Sequence, residues 1–61
     1  MTRADLLAKS REHERTALRL HVDGRVQRCL DNPGAADLAW QMRDIARRMS
    51  LETLADAEVA T

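Results

Sequence analysis

His13 and Glu14 open the pattern of a zinc-protease helix, in which a second histidine four residues after the first completes the ligand pair. Position 17 is alanine, so that ligand is missing. His13, His21 and Cys29 recur at steps of eight. On a helix each such step rotates by about 80°, so the three do not converge on one ion. The single cysteine excludes an internal disulfide, and no Cys/His cluster has zinc spacing. The serines, in Lys9-Ser10-Arg11 and Met49-Ser50-Leu51, sit in no nucleophile motif, and there is no glycine-rich phosphate loop. The expectation is a protein that is not an enzyme and has no metal or cofactor. Cys29 reads as a small buried hydrophobe.

The residues left to act are binding residues. Trp40 lies about 160° around a helix from the centre of the stripe Leu38, Met42, Ile45 and Met49. Arg43, Arg47, Leu51 and Leu54 fall on its side if the helix continues. Trp and Arg flanked by leucines have the composition of a binding hot spot, and Arg43 or Arg47 could stack on the indole. This candidate partner surface either faces an external protein or packs inside the assembly, so Trp40 is covered in both cases. Arg11, Arg15 and Arg19 make a second candidate, a basic strip that could follow a phosphate backbone. Against it stand Glu12, Glu14 and the absence of interleaved aromatics. Pairing of these arginines with Glu52, Asp56 and Glu58 of an antiparallel neighbour is the simpler expectation.

Charge and size narrow the choice. Ten basic residues balance ten acidic ones over 61 residues, which disfavours non-specific attraction to nucleic acid or anionic membrane. The halves differ: residues 1–30 carry seven basic against four acidic groups, and residues 31–61 three against six. No apolar stretch reaches the ~18 residues of a membrane span, and no signal-peptide run opens the chain. With one cysteine, a cytoplasmic setting is expected. Arginine outnumbers lysine nine to one, a compositional hint of a bacterial or phage source. A single core of this size is marginal without a disulfide, a metal or a second copy. Self-association is the staple that remains, with a dimer favoured.

The elements that would position these residues are helical. Asn32-Pro33-Gly34 opens a helix whose apolar positions Ala35, Leu38, Ala39, Met42, Ile45, Ala46 and Met49 step by three and four. Pro33 suits the first helical position, Asn32 is the expected side-chain cap, and Asp37 and Arg47–Arg48 suit the two ends of the dipole. After Met49 the helix either continues to about residue 59 or restarts at Ser50. Ala60 and Thr61 should fray. Upstream, Thr2 and Asp5 form the start of a helix over about 3–30, with Leu18, Val22 and Val26 as its best apolar stripe. Asp23-Gly24 could be a hairpin turn or a break. A two-residue turn would set Val22 against Arg25 and Arg19 against Arg28, so an unbroken helix that tolerates Gly24 is favoured. Residues 31–34 are then a turn between antiparallel neighbours.

The fold class is therefore all-α: a helical hairpin, dimerising into a four-helix bundle through Leu18, Val22, Val26, Leu38, Met42, Ile45 and Met49. In length and layout, though in no motif, this plan resembles the small plasmid copy-number regulators that pair as helical hairpins. The function expected is a small regulator or adaptor that self-associates and binds a partner protein. A nucleic-acid-binding regulator using Arg11, Arg15 and Arg19 is one alternative, and a structural subunit of a larger, for example phage, assembly is another.

Overall fold

The computed structural model describes residues 1–60; Thr61, expected to fray, lies outside the described residues. Two helices of 27 residues, α1 (Arg3–Cys29) and α2 (Pro33–Val59), pack against each other as an antiparallel hairpin. The rod is 48 Å long and 13 × 12 Å across its Cα atoms.

Helix α1 starts at a complete capping box. The Asp5 N–H donates to Thr2 Oγ1 at 3.2 Å, and the Thr2 N–H donates to Asp5 Oδ2 at 3.3 Å. It runs unbroken through Gly24, so neither the hairpin turn nor the break at Asp23-Gly24 forms. It ends on Asp31 in the left-handed region (φ 56°), where the Asn32 N–H reaches Gln27 O at 2.9 Å and the Asp31 N–H reaches Arg28 O at 3.2 Å. This pair of bonds satisfies the last carbonyls and turns the chain within three residues.

Helix α2 begins at Pro33 as expected, but Asn32 makes no side-chain cap; its Nδ2 donates instead to Gln27 Oε1 at 3.3 Å. The helix passes Met49 and does not restart at Ser50. Arg47 and Arg48 therefore sit in mid-helix, where the dipole gives them nothing, and Asp37 falls beyond the first turn.

The seam between the helices is lined by small residues. From α1 it takes Ser10, Ala17 and Gly24, seven residues apart; from α2 it takes Ala36, Ala46, Ser50 and Ala57. A seven-residue repeat keeps one line of each helix facing its partner as the pair coils. Taking a helix radius of about 2.3 Å from each side of the rod leaves at most about 8 Å between axes, the tight end of helix packing. Ser10 and Ser50 show the closeness directly. Each hydroxyl donates to the other residue's backbone carbonyl at 3.0 Å, and the two oxygens lie 3.1 Å apart. A one-carbon side chain reaches a neighbouring backbone only when the backbones nearly touch.

A tight seam of this kind buries no large side chain. The fully covered apolar residues are alanines, and twelve large hydrophobics stay 39–81% exposed. The strips read as the association core, Leu18, Val22 and Val26 on α1 and Leu38, Met42, Ile45 and Met49 on α2, are among them.

Candidate interaction surfaces

Trp40 faces α1. Its indole lies over Gly24, so close that a Cβ there would fall 2.1 Å from Nε1. The absence of a side chain at position 24 is what seats the ring. The indole N–H donates to the backbone carbonyl of His21 at 3.3 Å, and the imidazole stacks beside it with ring centroids 6.5 Å apart. The Arg28 and Arg43 guanidinium carbons each lie 5.7 Å from the indole centroid, within cation–π range. Arg43 Nη1 contacts His21 Nδ1 at 2.8 Å. A guanidinium only donates, so Nδ1 accepts. Arg43 Nε and Nη2 also reach Asp44 Oδ1, both at 3.0 Å. One ring thus ties α1 to α2 near the turn.

Of the residues grouped with Trp40, Arg43 joins it and Arg47 does not. Arg47, Leu51 and Leu18 line a cleft on that side with Glu14, Ala17 and Ser50. Leu51 and Leu54 are exposed. His21, Gly24 and Arg28 belong to the cluster and were not assigned to it from the sequence. The signal was available, because a turn centred near residue 31 brings positions with numbers summing to about 60–64 opposite each other, and Gly24 and Trp40 form such a pair.

The strip Leu38, Met42, Ile45 and Met49 lies on the opposite side. There Leu38 and Met42 share a groove with Leu20, Asp23 and Gln27. The strip Val22, Val26 and Cys29 lines a shallow apolar depression on the back of α1. Cys29 is exposed, a correction to its reading as buried, because the α1 stripe that holds it points away from α2.

Arg11, Arg15 and Arg19 are exposed. Among the described residues the one ion pair is Arg43–Asp44, so the pairing of these arginines with Glu52, Asp56 and Glu58 inside the hairpin does not form. Among the described residues no cluster of His, Cys, Asp and Glu could hold a metal ion, and no helix is long and apolar enough to cross a membrane. No family model, curated protein or solved structure matches the chain.

Proposed function

We propose that this protein is a non-enzymatic helical interaction module, a small cytoplasmic regulator or adaptor that self-associates and, once assembled, holds a partner protein. One observation carries the reading: the hairpin buries alanine, serine and glycine along its seam and leaves its leucines, valines, isoleucine and methionines outside. Burying a Leu, Val, Ile or Met is worth about 1.5–3 kcal/mol, and a lone hairpin forgoes much of that at every exposed position. A second copy recovers it. Zero net charge removes the long-range repulsion that would oppose assembly. The side of α2 that carries Trp40, Arg43, Arg47, Leu51 and Leu54 is the surface offered to the partner.

Light scattering and sedimentation at micromolar concentration test the first half. The expected result is an assembly whose melting temperature rises with concentration and which Ile45→Lys dissociates. A monodisperse monomer with cooperative, concentration-independent melting overturns the reading.

The exposed guanidinium groups of Arg11 and Arg15 favour a second reading, a regulator that binds nucleic acid through the α1 strip. That reading requires salt-sensitive retardation of RNA or DNA in a low-salt gel shift. Absence of retardation eliminates it.

A further inference from the structure

We infer that the surface covering α2's outer strip is the back of α1 from a second copy, in a head-to-tail contact that repeats. The inference rests on the self-association proposed above and specifies its geometry. The two outer strips have matching steps. Read forwards, α1 presents Arg11, Arg15, Leu18, Val22 and Val26, at steps of four, three, four and four. Read backwards, α2 presents Asp56, Glu52, Met49, Ile45 and Met42, at steps of four, three, four and three. Laid antiparallel, Leu18 meets Met49, Val22 meets Ile45 and Val26 meets Met42, while Arg15 meets Glu52 and Arg11 meets Asp56. All ten side chains are exposed on the single hairpin, and none of the four charged ones has an ion-pair partner among the described residues.

Pairing like strips loses this match. Two α2 strips set antiparallel about their apolar centre bring Asp56 towards Asp31 and offer Glu52 only Ala35. Two α1 strips centred on Val22 leave Arg15 opposite Cys29 and Arg11 beyond the end of the helix, with no carboxylate for either. Like charges in the first case and charges left without partners in the second select against the two-fold contacts and in favour of the mixed one.

The mixed contact is also open-ended. At about 100° per residue, the α1 strip points to the side of α1 remote from α2. The α2 strip is turned by about 100° from its own contact line. The groove at Leu38 and Met42 and the cleft at Leu18 and Leu51 accordingly open on different sides of the hairpin. One neighbour cannot cover both strips. Each copy that accepts a neighbour on α2 still offers α1 to the next, and such a contact, which shifts each copy along the rod, builds an open chain.

Charge reversal in halves tests this. Arg11→Glu/Arg15→Glu is expected to weaken self-association by about tenfold or more at low salt, and Glu52→Arg/Asp56→Arg to do the same, with helicity kept by circular dichroism. Mixing the two variants one to one rejoins each reversed strip to an oppositely charged one, and is expected to restore assemblies larger than two copies in sedimentation velocity. Assembly of the Arg11→Glu/Arg15→Glu variant at wild-type strength overturns the mixed contact while leaving self-association standing. So does a mixture that stays dissociated, or a wild-type species that stops at two copies. A wild-type chain that never associates overturns both.

Discussion

Replacing Gly24 by alanine should destabilise this helix, although the same change in an ordinary mid-helix position does the reverse. Alanine is favoured over glycine inside a helix by about 0.5–1 kcal/mol. At position 24 the new Cβ would stand 2.1, 2.5 and 2.8 Å from indole Nε1, Cδ1 and Cε2, where about 3.5 Å is needed. The ring must retreat by more than ~1 Å, and it is no free side-chain end. It is held by the His21 carbonyl and flanked by Arg28 and Arg43. Overpacking of this sort costs about 1–3 kcal/mol, and loosening the indole hydrogen bond adds about 0.5–1.5. The expected net loss is about 1–2 kcal/mol, or roughly 4–16 °C in melting temperature for a domain of this size. Thermal and urea melts by circular dichroism, at one chain concentration, measure it. Gly34→Ala is the internal control, since nothing lies within 4 Å of its Cβ position; it should be neutral or stabilising. In a Trp40→Ala background Gly24→Ala should also become stabilising, giving a coupling of about 2 kcal/mol. If that background is too marginal to melt cleanly, an excluded osmolyte restores a baseline without changing the comparison. Equal effects at Gly24 and Gly34, or the same sign with and without the indole, would refute the reasoning.

Ser10→Ala and Ser50→Ala should each cost about 0.5–1.5 kcal/mol by removing one hydroxyl-to-carbonyl bond from the closed seam, the other hydroxyl keeping its own carbonyl; the double replacement should cost less than their sum, and a double-mutant cycle in urea checks this. Asp31→Gly should stabilise the chain by about 0.5–1 kcal/mol, because φ 56° suits glycine and strains aspartate; a melting temperature lowered by this change would contradict the turn geometry. Trp40→Ala should cost about 1–3 kcal/mol, below the ~3–5 of a fully buried aromatic because the ring is half-buried, and an unchanged urea midpoint would refute its role as the tie near the turn.

The helices were legible in the sequence because their local signals agreed. Thr2 with Asp5, Pro33 after Asn32, and long runs without other glycine or proline all point the same way. What the sequence did not disclose was which face of α2 turns towards α1. Periodicity of large apolar residues marks the surface that water disfavours, and the stripe through Leu38, Met42, Ile45 and Met49 is that surface. The hairpin seam follows another spacing, small residues every seventh position on α1 and at steps of ten, four and seven on α2, which hydropathy scarcely registers because serine and glycine contribute to it alongside alanine. Cys29 was assigned as buried for the same reason, being on the large-residue stripe. Trp40 was recognised as covered, but its seat was read as a glycine merely tolerated. A glycine opposite a tryptophan across a short turn is a steric requirement, and only the register of the hairpin exposes it.

The two periodicities divide the labour between folding and assembly. Close approach along Ser10, Ala17 and Gly24 gives backbone dispersion and the paired serine bonds, interactions whose geometry fixes the register of the two helices. It yields little apolar burial, because alanine and glycine have little surface to remove from water. Widening the seam to admit leucines would increase burial within one copy, yet it would unseat Trp40 and separate Ser10 from Ser50. The chain instead keeps its large side chains outside, where their contribution depends on how many copies meet. Stability and function then share one variable, concentration, and a perturbation of the outer strips should move melting temperature and assembly size together, whereas one at the seam should shift melting first.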